Sequence, residues 1–277
     1  MKEKKDVIQI DIKEAIKSKS PKLVKFIPKF MMNYIKRVTH EKDINEFFQL
    51  HGEKKNFEFI AAVLSHFNVK VEVKNPENIV KTGGVIFASN HPLGGLDGMA
   101  LIHAIGQERK DVKFIVNDIL MALTSLDGIF IGVNKHGKNV SNSLAIIEDL
   151  YASDQAVLIF PAGLVSRKQK GQIHDLEWKK SFVSKAKKHK KNIIPVHIDG
   201  ENTRKFYNLA MWRKRLGVKA NIEMFYLIDE MFKQRGKTLT MTFGKPIPYT
   251  NFDKKHTDLQ WAQILKKEVY ALGKSTK

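Results

Sequence analysis

After Val69 the sequence changes texture. Six short runs rich in β-branched and aromatic residues follow one another: VKVEV (69–73), VIFAS (85–89), VKFIV (112–116), IFIGV (129–133), AVLIF (156–160) and NIIPVHI (192–198). Between them lie stretches with apolar residues at helical spacing, near 96–106, 139–153 and 178–190. Strand-length runs that alternate with helix-length stretches leave few architectures open, because a crossover helix brings the chain back to add a parallel strand. The alternation predicts an α/β fold with a mixed, largely parallel sheet flanked by helices. A later run, LTMTFG (239–244), stops at Lys245-Pro246, and a last amphipathic helix is expected over about 255–273. Ahead of the alternation, segments near 12–18, 22–38, 42–50 and 56–67 carry helical spacing. The expected organisation is a helical N-terminal region over residues 1–68, then one α/β domain over 69–277.

The first buried-looking strand runs into SNHPLGGLDG (89–98). Asn90-His91 then stands at a strand's C-terminal end, the edge where open α/β sheets bind ligands. Gly94 and Gly95 let the backbone turn tightly and approach a partner. Asp97 falls in the first turn of the next helix, where the helix dipole favours a carboxylate. If the loop folds back, Asp97 takes a hydrogen bond from one ring nitrogen of His91 and the other nitrogen faces outward as a proton acceptor. That is a general base with its orienting carboxylate. Read alone, the same pair is helix capping and turn chemistry.

Two further strand ends share this design. FPAGLVSRK (160–168) leaves AVLIF through a Pro-Gly turn into a basic loop. Arg167 and Lys168 are the residues there suited to an anion. IIPVHI (193–198) carries Pro195 where a central strand disfavours it. Between them, LDGIFIGVNKHGKN (126–139) sets another strand among glycines and basic residues.

Taken in order, Asn90-His91…Asp97, Gly128-Ile129-Phe130-Ile131, Phe160-Pro161-Ala162-Gly163 and Ile194-Pro195 resemble the four blocks of the phospholipid/glycerol acyltransferase family, the PlsC-like enzymes. The likeness spans about residues 80–200. It implies transfer of a fatty acyl group from acyl-CoA or an acyl carrier protein, as co-substrate, to a lysolipid hydroxyl. His91 is implied as the base and Asp97 as its orienter. Asn90, Gly94, Gly95, Phe160, Pro161, Gly163, Ser166, Arg167, Lys168 and Pro195 are implied as substrate-binding positions. No cofactor, metal or covalent enzyme intermediate is required. The chain also departs from the family. Five residues, not four, separate His91 from Asp97. Ala162, Leu164 and Val165 stand where the family has Glu, Thr and Arg, and the second block lacks its closing arginine near Val133–Asn134. These departures resemble the hemolysin-labelled branch that acylates ornithine- and glycine-type aminolipids. The expected acceptor is a lysophospholipid or an acyl-amino acid.

Lys and Arg outnumber Asp and Glu by 48 to 29, a formal charge of +19. Such a surplus attracts polyanions: nucleic acid, anionic lipid or an acidic carrier protein. PKLVKFIPKFMMNYIKRV (21–38) interleaves Lys22, Lys25, Lys29, Lys36 and Arg37 with bulky apolar residues, as an interfacial membrane helix does, and also as a helix packed on a core does. Pro28 is expected to kink or divide it. The expectation is a cytoplasmic protein held peripherally at the inner face of the cell membrane. The opening MKEKKDVIQIDIKE lacks the apolar core of a signal peptide. A nucleic-acid-binding protein is the rival from charge, without a zinc module or aromatic RNA-binding signature to support it. A lipid thioesterase or hydrolase using the same His–Asp pair is the rival from chemistry. With no cysteine, thiol nucleophiles, thiolate metal sites and disulfides are excluded.

Overall fold

A computed structural model describes residues 9–19, 21–133, 140–169, 171–218 and 221–274 of the 277. The basic stretch 134–139, and with it the position of the missing second-block arginine at Asn134, lies outside them.

Helices α1 (Ile12–Lys19), α2 (Pro21–Phe26), α3 (Lys29–Val38), α4 (Glu41–His51) and α5 (Asn56–His66) precede β1 (Lys70–Lys74) and β2 (Val85–Ser89). Then come α6 (Gly95–Gly106), β3 (Val112–Asn117), β4 (Phe130–Val133), α7 (Val140–Ala152) and β5 (Ala156–Ile159). A hairpin of β6 (Arg167–Gln169) and β7 (Gln172–His174) leads to α8 (Ser181–His189), β8 (Asn192–Ile198) and α9 (Arg204–Arg215). The chain closes with α10 (Leu227–Phe232), β9 (Thr238–Phe243) and α11 (Asp258–Leu272).

The large sheet has the order β1-β9-β8-β2-β5-β3-β4. β8, β2, β5, β3 and β4 pair parallel, while β9 meets β8 antiparallel and pairs parallel with β1. The fold is therefore α/β with a mixed, mostly parallel sheet, as the alternation predicts. β2 lies at its centre, and every residue of VIFAS is buried. Its side chains alternate between faces. Val85 and Phe87 pack with α5 and α6, and Ile86 and Ala88 pack with α7, α8 and α11. Phe47, Phe48 and Phe59 from α4 and α5 belong to the first of these cores.

Two local outcomes bear on function. Pro28 divides the expected 22–38 helix into α2 and α3, since it has no N–H to donate and sits at φ −60° as the residue before α3. The basic loop expected after Phe160 ends in β6 of the hairpin, a unit too short to show a period in sequence.

Candidate active site

His91 lies just past the C-terminal end of β2, on the loop into α6. Its Nδ1 is 3.1 Å from both carboxylate oxygens of Asp97. Asp97 is fully buried. A carboxylate that far from water needs its lone pairs satisfied. The backbone N–H groups of Leu93 (2.8 Å), Gly94 (3.2 Å) and Gly98 (2.9 Å) donate to it. The same carboxylate thus caps α6 and grips the imidazole, so capping and orienting are one feature rather than rival ones. With Nδ1–H donating to Asp97, the tautomer that follows leaves Nε2 with its lone pair.

Two glycines make room for this. Gly94, within the five residues between His91 and Asp97, adopts φ 108°, a conformation that side-chain-bearing residues rarely take. Gly98 faces Phe114, whose ring carbon would lie 2.8 Å from any Cβ placed there, so α6 seats directly on the sheet. The imidazole stacks on Phe160, with ring centroids 4.0 Å apart and planes 15° off parallel. Phe160 in turn packs edge-on against Phe114. The first and third blocks therefore meet at the ring of His91.

The backbone of His91 is held as firmly as its side chain. Its carbonyl accepts from the Ser166 N–H at 2.7 Å and from the Ser166 hydroxyl at 3.2 Å. Its N–H donates to Asp175 at 3.2 Å. Asp175 is fully buried and also receives the Ser166 hydroxyl (2.6 Å) and the Trp178 indole N–H (2.8 Å). The backbone N–H of Asp175 donates to the hydroxyl of Tyr270, and Lys266 donates to the Asp175 carbonyl. Burial pushes the Tyr270 hydroxyl up, so it stays protonated, and pushes Lys266 down. Nothing in the sequence singled out Asp175 as this hub. It stands 84 residues from His91, and its neighbour His174 turns to Gln172 and Tyr270.

The other expected positions divide. Asn90 ties the end of β2 to β8. Its amide donates to the Ile198 carbonyl (2.9 Å) and accepts the Ile198 N–H (2.7 Å), continuing the β2–β8 ladder by one side-chain rung. Pro195 sits inside β8 opposite Ala88, buried and short of the strand end where the imidazole lies. Gly95 opens α6. Pro161 is buried and its carbonyl accepts the Lys179 N–H, while Gly163 closes the turn by donating to the Phe160 carbonyl. Lys168 is exposed. A cleft of about 310 Å³ opens beside the loop, lined by Asn90, Pro92, Ser166 and Tyr270 but not by the imidazole.

Arg167 needs correction. It was expected to hold the acceptor's anion. Instead its guanidinium is buried and donates to Glu223 at 3.0 Å and to the Val165 carbonyl at 2.7 Å. Glu223 is fully buried and is also paired with Arg213 at 2.7 Å. Burial pushes the Arg167 guanidinium down and Glu223 offsets that effect. Its charge is spent inside the protein. Lys168 and Lys179 also belong to this part of the chain, and the Nζ of Lys179 lies 2.8 Å from where a side-chain carbon on Gly163 would stand.

Among the described residues no group of three or more His, Cys, Asp or Glu is arranged to hold a metal ion. No described helix is long and apolar enough to cross a membrane.

Residues 14–277 match the sequence profile of an acyltransferase family. The chain belongs to that acyltransferase family. It is 46% identical over 264 residues to a lyso-glycine lipid O-acyltransferase of Bacteroides thetaiotaomicron, covering 95% of this chain and 97% of that one. It is 44% identical over 267 residues to a protein of the same name from Phocaeicola vulgatus, covering 96% of each. A crystal structure of the 1-acyl-sn-glycerophosphate acyltransferase PlsC from Thermotoga maritima aligns with 88% of this chain and 89% of that one, at 14% identity and a TM-score of 0.49. The chain is therefore an acyltransferase.

Proposed function

We propose that this acyltransferase esterifies the hydroxyl of an acyl-amino acid, a lyso-aminolipid, with the acyl group of an acyl-CoA or acyl-carrier-protein thioester. The observation that carries the mechanism is the His91 imidazole held through Nδ1 by a buried carboxylate. Nε2 of His91 takes the proton of the acceptor hydroxyl as its oxygen attacks the thioester carbonyl. Asp97 keeps the ring oriented and stabilises the imidazolium. The carbon–sulfur bond then breaks, and the imidazolium returns the proton to the departing thiolate. An ester and a free thiol result, and His91 ends as it began.

The acceptor reading draws on two relatives that carry the lyso-glycine lipid name over nearly the whole chain. It also draws on the third block. A phosphate-ended acceptor calls for several charge-assisted donors. Here the family's Glu and Arg positions are Ala162 and Val165, and Arg167 is committed to Glu223. A single carboxylate needs less. The basic, apolar α2–α3 arm would hold the enzyme at an anionic membrane, where such an acceptor resides.

Thiol release from an acyl thioester, followed with and without an N-(3-hydroxyacyl) glycine, tests the reaction class. Release that depends on the acceptor and matches the ester formed is expected. Equal release without acceptor would instead make the protein a thioesterase.

A further inference from the structure

We propose that α9 and the 3-10 turn Ile222–Tyr226 form a second membrane-seating face, fused to the N-terminal arm, whose partner is an anionic lipid surface. A helix that packs on one side needs one apolar stripe. α9 has two. Phe206, Tyr207 and Ala210 are buried against the protein. Trp212 and Leu216, one turn apart, point away from it and are 53% and 74% exposed. Phe225 adds a third bulky side chain at 54% exposure. Single exposed apolar residues are ordinary, but a cluster of large ones marks an interaction surface.

The charge around the cluster selects the partner. Arg213, Lys214 and Arg215 fill the last turn of α9. The Arg215 guanidinium lies 5.8 Å over the Trp212 ring, and the Lys205 ammonium 5.5 Å over the Tyr226 ring. The acids of this region are withdrawn. Glu223 and Glu230 are buried, and Asp229 is paired with His40 and Lys233. Aromatic and aliphatic side chains ringed by cations, without an exposed carboxylate among the described residues of α9 and the turn, complement the headgroup–acyl boundary of an anionic bilayer.

The face is rigid and tied to its surroundings. Glu223, clasped by Arg167 at 3.0 Å and Arg213 at 2.7 Å, pins the turn against α9 and against the third block. The hydroxyls of Tyr34 and Tyr226 meet at 2.9 Å, joining the turn to α3. Phe30 on α3 and Phe26 on α2 are 74% and 83% exposed. The turn thus connects α3 with α9, and the loop that carries Phe160 and Ser166 is anchored to it through Arg167. Seating this surface on a bilayer brings the site to the leaflet from which a lipid acceptor would come.

The inference draws its purpose from the lipid-acceptor reading, but its test needs no turnover. Binding of the full chain is measured by flotation with vesicles of phosphatidylglycerol and phosphatidylcholine in equal parts. A triple variant, Trp212→Ser, Leu216→Ser and Phe225→Ser, is compared with the parent after thermal melts show that it is folded. The variant is expected to lose at least about tenfold in vesicle affinity, given the apolar area it no longer buries. Lys214→Gln with Arg215→Gln is expected to weaken binding at low salt and little at high salt. Turnover of a bilayer-embedded acceptor should fall in step with the triple variant's binding, while a short-chain acceptor free in solution reacts at the parent rate. Parent-like vesicle binding by the triple variant overturns the proposal. So does a parent that ignores vesicles while the variant loses self-association or binding to single-stranded DNA, since the face then serves a second copy or a nucleic acid. If the acceptor reading alone is wrong, vesicle binding still falls in the variant.

Discussion

His91 is fixed at three points. Asp97 holds its ring, Ser166 its carbonyl and Asp175 its N–H. Losing the base should cost about 10²–10⁴-fold in kcat, the usual worth of general-base catalysis, so His91→Ala is expected to fall in that range with its melting temperature nearly unchanged. Asp97→Asn is expected to lose activity through a mis-set tautomer and also stability, because the same carboxylate caps α6. Steady-state kinetics beside thermal melts separate the two effects. Arg167 should behave in the opposite way. Arg167→Ala removes one partner of a buried ion pair and is expected to cost about 3 kcal/mol of stability in denaturant unfolding, with acceptor preference intact. If Arg167→Ala shifts acceptor preference with stability unchanged, the reading of Arg167 as a cation committed to Glu223 is wrong.

At the scale of elements, much of the fold was legible. Runs such as VIFAS and AVLIF are apolar throughout because both faces of β2 and β5 are covered, and the helical stretches between them repeat at the period of one packed face. The His91–Asp97 loop was legible because its glycines, proline and acid sit within ten residues, where local rules govern. Arg167 was misread because its partner, Glu223, lies 56 residues away and sequence shows a charge without showing what it faces. The β6–β7 hairpin and α10 were missed because three to six residues hold less than two turns or one alternation. Pro28 was the visible break in the arm, and α2 ends at Phe26 and α3 begins at Lys29 on either side of it. Replacing Lys25, Lys29 and Lys36 with Gln is expected to weaken binding to anionic vesicles several-fold at low salt and hardly at high salt, as exposed charges do. Lys36 also pairs with Glu41, so thermal melts of the variant check that any loss is not unfolding. Equal binding by variant and parent would make the arm a packing element only.

The whole molecule joins a sheet edge that carries the base, a hub at Asp175 that locks two blocks together, and a basic surface with bulky apolar side chains. The formal charge of +19 and the His91–Asp97 pair are the two features the proposed reading joins. The most direct test supplies the purified protein with one acyl thioester and equal amounts of an N-(3-hydroxyacyl) glycine and lysophosphatidic acid. The products are identified by mass spectrometry for the parent and for His91→Ala. The expected result is O-acylated acyl-glycine as the main product of the parent and neither ester from the variant. Phosphatidic acid as the main product, or acyl-glycine ester formed equally well without the imidazole, would contradict the account.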